Sequence, residues 1–117
     1  MTRTVLIVDD HAGFRAGARA LLEASGYRVL GEAATGQDAL TETARLRPEV
    51  VLLDVQLPGL DGFAVAERLS ARAGAPAVVL ISSRGAESFR RSLAASPARG
   101  FIPKGELTAE CLNELLA

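Results

Sequence analysis

The 117-residue sequence predicts an α/β fold, a doubly wound five-stranded parallel sheet with helices on both faces. Three observations predict it. Runs of Val, Leu and Ile alternate with segments of helical periodicity, and the strongest runs have no polar break, as expected of strands buried on both faces. Most of these runs stop on a charged or hydroxyl residue. The length fits one domain, residues 1–117, and a chain of this size buries roughly two-thirds of its unfolded surface.

The elements follow in order. Val5-Leu6-Ile7-Val8 is the first strand and stops at Asp9-Asp10. Phe14, Ala18, Leu21 and Leu22 recur at helical spacing, and Ser25-Gly26 ends that helix. Tyr27 to Ala33 reads as a weaker strand. Thr35, with Asp38 three residues on, has the capping-box pattern that opens a second helix. Its stop is Arg47-Pro48, because the residue before proline avoids helical angles. Val50 to Leu53 is a third strand ending on Asp54, and Pro58-Gly59-Leu60-Asp61-Gly62 is a turn. A helix through Phe63, Ala66 and Leu69 is expected to close near Gly74. Ala77 to Ile81 is a fourth strand ending at Ser82-Ser83, and a helix is expected over Glu87 to Ala95. Gly100-Phe101-Ile102 is a short fifth strand ending at Pro103-Lys104, and Thr108 caps a last helix carrying Leu112, Leu115 and Leu116. Strands alternating with helices imply right-handed crossovers, and ligands then bind outside the carboxyl ends of the strands.

Composition excludes several classes. Thirteen basic and fourteen acidic residues give a net charge of −1, a poor footprint for direct nucleic-acid binding. The single cysteine, Cys111, excludes an internal disulfide framework and a multi-cysteine zinc site. It reads as a buried small hydrophobe. No apolar run approaches the ~20 residues that span a bilayer. Met1 to Thr4 leads straight into the first strand with no signal-peptide core, which points to a cytoplasmic location.

The strand ends carry the chemistry. They deliver Asp9 and Asp10, then Asp54, Ser82 and Lys104, all onto one rim of a doubly wound sheet. Three carboxylates in one small site repel each other, and a hard divalent cation such as Mg²⁺ removes that conflict. Mg²⁺ on carboxylates is the usual partner of a phosphoryl group, and an aspartate can be its covalent acceptor. Asp54 stands alone at the end of a central strand, which suits the nucleophile. His11 reads as a loop residue, Asp61-Gly62 as turn and helix start, and Arg90-Arg91 as a solvated helix face.

These residues resemble a known family. Val-Asp-Asp-His at 8–11, Leu-Leu-Asp-Val-Gln-Leu-Pro-Gly-Leu-Asp-Gly at 52–62, Ile-Ser-Ser at 81–83 and Gly-Phe-Ile-Pro-Lys at 100–104 resemble the receiver domain of bacterial two-component response regulators. Asp54 follows Asp10 by 44 residues, Ser82 follows Asp54 by 28, and Lys104 follows Ser82 by 22, similar to the family's spacing. The resemblance implies a flavodoxin-like sheet in the order 2-1-3-4-5. It implies phosphorylation of Asp54 by a sensor histidine kinase. It implies Mg²⁺, with Mn²⁺ as a substitute, bound by Asp10, Asp54 and the Gln56 backbone carbonyl, and by Asp9 mainly through water. Lys104 and Ser82 would bind the phosphoryl group, and Ser82 and Phe101 would form the switch. Gln56 and Arg84, two residues past Asp54 and Ser82, would tune the lifetime of the phosphorylated state.

Asp-Asp-His at 9–11, with Phe14-Arg15-Ala16-Gly17 and Leu30-Gly31-Glu32-Ala33, further resembles the LuxR/NarL-like subfamily. That resemblance implies a C-terminal helix-turn-helix output domain, absent from this sequence, and a homodimer formed on phosphorylation. The sequence is expected to be part of a longer regulator; the alternatives are a stand-alone receiver and a degenerate one used as a protein-docking module. Gly105 stands where proline is common after the lysine, and Pro103 precedes it, which suits a strand at a sheet edge. A turnover enzyme is not expected. The aspartyl-phosphate phosphatases need a second acid two residues past the nucleophile, where Gln56 stands. A nucleotide-binding module needs a glycine-rich loop where Asp9-Asp10-His11 stands.

Overall fold

The structure, a computed structural model, describes residues 2–117. Its strands are β1 (Thr4–Val8), β2 (Arg28–Ala33), β3 (Val50–Asp54), β4 (Ala77–Ser82) and β5 (Gly100–Pro103). Its helices are α1 (Ala12–Ala24), α2 (Gly36–Leu46), α3 (Gly62–Ser70), α4 (Arg90–Ala95) and α5 (Ala109–Leu116). The strands are parallel throughout, in the order β2-β1-β3-β4-β5.

The unbroken apolar strands are needed because each alternates between two cores. Val5, Ile7, Val50, Leu52, Val79 and Ile81 face α1 and α5, where they meet Leu22, Leu112 and Leu116. Leu6, Val8, Val51, Leu53, Val78 and Leu80 face α2 and α3, where they meet Leu40, Val65 and Leu69. A fully buried Leu or Ile stabilises the fold by roughly 1.5–3 kcal/mol over leaving it in water, so both faces hold the sheet.

The helix ends follow the sequence signals. The Thr35 hydroxyl accepts from Asp38 N–H and the Thr108 hydroxyl from Cys111 N–H. Asp61 Oδ1 accepts from Ala64 N–H, the expected helix-start role. Ser25 caps the C-terminus of α1, with Gly26 at φ 94°. Arg47 takes the left-handed conformation, φ 51°, immediately before Pro48, which is how α2 stops. Cys111 is half-buried against the α1/α5 core.

Two expectations are corrected. The helix expected to close near Gly74 ends at Ser70; Gly74 sits in the following turn at φ 68°. The helix expected over residues 87–95 is divided into a 3-10 turn, Ala86–Phe89, and α4. Neither piece contains a buried residue, so nothing forces one continuous helix there.

Candidate functional site

All the strands run the same way, so their carboxyl ends share one rim. The pairings Val8 with Leu53, Asp54 with Ile81 and Ser82 with Pro103 bring Asp9, Asp54, Ser82 and Lys104 to neighbouring levels of it. Backbone bonds extend the ladder into the site: Asp9 N–H donates to Ala33 C=O at 3.0 Å and Val55 N–H to Ile81 C=O at 2.9 Å. Gly62 allows the chain to close over β3. Its N–H donates to Val55 C=O, and a Cβ there would run into the Asp54 carbonyl oxygen.

Asp9, Asp10, His11 and Asp54 each offer a donor atom, and these four atoms lie within 4.8 Å of one another. Asp9 and Asp54 are buried, whereas the Asp10 side chain is 35% exposed. Lys104, 15% exposed, reaches into the group. Its Nζ lies 2.6 Å from Asp9 Oδ2 and 3.3 Å from Asp54 Oδ2. The same Nζ stands 4.8 Å from the centre of the Phe14 ring, a cation–π contact that steadies it.

Burial pushes the Asp54 carboxyl above the ordinary carboxylate range, and the neighbouring Asp9 charge adds to this; Gln56 N–H and Lys104 work against it. For Lys104, burial works to lower the pKa, but the hydrogen-bonding and charge of Asp9 and Asp54 outweigh it and hold the ammonium above its usual value. The site is thus an acid-rich pocket with one ammonium shared among its carboxylates.

The donor chemistry fits a hard divalent cation. Three carboxylates supply oxygen ligands, and Asp9 Oδ2, fully buried, has no aligned hydrogen-bond donor although Lys104 is close. Asp54 Oδ1 accepts from Gln56 N–H at 3.1 Å, while the Gln56 side chain is exposed. Ser82 is buried; its oxygen accepts from Arg84 N–H at 3.1 Å. Among the described residues it donates to no neighbour, so its O–H remains available. The Arg84 side chain is exposed. Phe101 is half-buried, its ring 6.2 Å from that of Phe89.

The structure also brings in residues that carry no site role in the sequence pattern. The His11 ring belongs to the acid cluster. Phe14 lies under Lys104. Arg15, one turn into α1, donates to the Asp9 carbonyl at 2.6 Å and to Glu32 on β2 at 2.9 Å, so it holds the end of β1. A groove lined by Thr43, Arg47, Pro48, Arg72 and Pro76 lies at the opposite end of the sheet from the acids.

This rim, on this sheet, defines a class. The profile of the response regulator receiver domain matches residues 5–116, and the chain belongs to that family. It is the receiver domain of a two-component response regulator. Among its relatives, response regulator GacA of Pseudomonas viridiflava is 33% identical over 112 residues, which is 95% of this chain and 52% of GacA. Protein-glutamate methylesterase/protein-glutamine glutaminase 5 of Myxococcus xanthus is 48% identical over 85 residues, 72% of this chain and 24% of the relative. The chain therefore spans about half or less of the length of these relatives. Among solved structures, the signal receiver domain of NarL from Mycobacterium tuberculosis is 31% identical, with a TM-score of 0.85 over 99% of this chain and 98% of that one. A LuxR-family response regulator from Aurantimonas is 28% identical, with a TM-score of 0.86 over 97% of this chain and 81% of that one. Among the described residues no helix is long and apolar enough to cross a membrane.

Proposed function

We propose that Asp54 accepts a phosphoryl group from a sensor histidine kinase and that the resulting aspartyl phosphate switches the surface around β5 and α4. The observation that carries this reading is Lys104. Its ammonium stands between two buried carboxylates, Asp9 and Asp54, where the charge of an incoming phosphoryl group would be met.

In the transfer, a bond forms between phosphorus and an Asp54 oxygen while the bond from phosphorus to the donor nitrogen breaks. Gln56 N–H holds the Asp54 carboxylate through Oδ1. Lys104 donates to a phosphoryl oxygen. Ser82 donates its free O–H to another, which draws the end of β4 inward. Phe101 follows and leaves Phe89. Asp10, Asp54 and the Gln56 carbonyl would hold Mg²⁺, with Asp9 acting through water. When bound, the ion neutralises the carboxylates and the equatorial oxygens of the transferring group. The exposed Gln56 and Arg84 side chains flank the path of attacking water and set the lifetime of the phosphorylated state. The chain hydrolyses only its own aspartyl phosphate and turns over no separate substrate.

The output would be a helix-turn-helix domain in a longer regulator, engaged through homodimerisation on phosphorylation. The LuxR-family neighbour and the length of the relatives beyond the matched region support this part of the reading. Incubation with acetyl phosphate and Mg²⁺ tests the chemistry. The expected product is a hydroxylamine-labile mass gain of about 80 Da that is absent from Asp54→Asn. Wild-type chain that gains no mass would be a docking module instead.

A further inference from the structure

His11 is the first residue before α1, yet its side chain makes no capping hydrogen bond, and 70% of that side chain is exposed. The ring turns back into the acid cluster, where Nδ1 stands within hydrogen-bond reach of Asp9 Oδ1. Nδ1 lies 3.1 Å from Asp9 Oδ1 and 3.0 Å from Asp10 Oδ1, equidistant from two acceptors. Adjacent ligands of an octahedral ion with bonds of about 2.1 Å are about 3.0 Å apart, so the 3.0 Å from Nδ1 to Asp10 Oδ1 is the spacing of one edge of such a shell. The ring nitrogen also belongs, with Asp54, to the group of donor atoms within 4.8 Å of one another.

We propose that the His11 imidazole is an additional protein ligand to the divalent ion of this pocket, and that it makes the site favour ions that accept nitrogen donors, such as Ni²⁺ or Co²⁺, more than carboxylates alone would. The inference rests on the reading of the acid cluster as a divalent-cation site. Its chemistry follows from ligand type: carboxylates and water suit Mg²⁺, whereas imidazole adds affinity for the later first-row ions and little for Mg²⁺.

The chain has only one histidine, so untagged protein presents no competing imidazole. In a Cys111→Ser background, which removes the one thiol, Ni²⁺ and Mg²⁺ are titrated separately by calorimetry into the parent, His11→Ala and His11→Gln. The pH is held above the ordinary imidazole range. Pulsed EPR of the Mn²⁺-loaded forms then reads nitrogen coordination directly. Expected are an affinity for Ni²⁺ about tenfold or more weaker in both variants, a Mg²⁺ affinity within about twofold, and ¹⁴N modulation only in the parent. Superimposable Ni²⁺ isotherms, or equal losses for both ions, would overturn the inference while leaving the cation site standing. A parent that binds neither ion would overturn both.

Discussion

Lys104 faces two buried carboxylates at once, and changes on the two sides of that contact have opposite effects on stability. Lys104→Ala leaves Asp9 buried without its ion partner, and the metal-free chain should lose roughly 3 kcal/mol in urea unfolding. Added Mg²⁺ should restore part of it by binding the folded state. Asp54→Asn should do the reverse. The folded pKa of Asp54 is raised by burial, so its contribution to stability is complete below the ordinary carboxylate range and is lost as pH rises through that raised value. The amide removes the loss, and without metal the variant should be more stable at neutral pH by about 1 kcal/mol, a melting temperature roughly 4 °C higher. Equal melting temperatures for the two proteins would contradict this. Asp9, Asp10, Asp54 and Lys104 are legible in the sequence because each ends an apolar strand, and parallel strands place their ends on one rim. His11, Phe14 and Arg15 are not. Their part depends on side-chain direction within the first turn of α1, which periodicity does not encode.

The helices of this fold are fixed unequally. Thr35 and Thr108 each satisfy an amide at a helix start, and replacing either by Ala should cost about 1 kcal/mol. His11→Ala should cost little, since its side chain caps nothing. α1 is tied to β2 by Arg15 and Arg19, which grip Glu32 at 2.9 and 2.8 Å. The hydrogen bond from Arg19 is the main cause of the lowered Glu32 pKa. This contribution is therefore present above the ordinary glutamate range and disappears as pH falls through the depressed value. Glu32→Gln should flatten the stability profile across that acid interval, as followed by urea midpoints. Residues 86–95 contain no fully buried residue, only Phe89 and Leu93 packing partly against the core, and their amides should exchange with deuterium faster than those of α1. The sequence signals the caps strongly because the hydroxyl and the amide it serves are three residues apart. It signals the 86–95 region weakly because only Phe89 and Leu93 meet the core there, too few to set a period.

At the scale of the molecule, one sheet separates two cores and brings its chemistry to one rim. The alternation of apolar runs and helices makes this architecture legible, since only a sheet covered on both faces needs strands apolar on every position. Close approaches between elements are less legible. Gly62 reads as a turn residue, but its lack of a side chain is what lets α3 start against the end of β3. Gly62→Ala should push that junction apart, cost about 2–4 kcal/mol and disturb the Asp54 backbone, visible as shifts of the Asp54 and Val55 amides in NMR spectra. The outer position of β5 has a further effect. This strand is four residues long and ends in Pro103, which has no amide hydrogen to offer a newcomer. A sheet so rich in Val, Ile and Leu would otherwise present a template for cross-β growth between copies. A short margin closed by an imino acid blocks that route along β5.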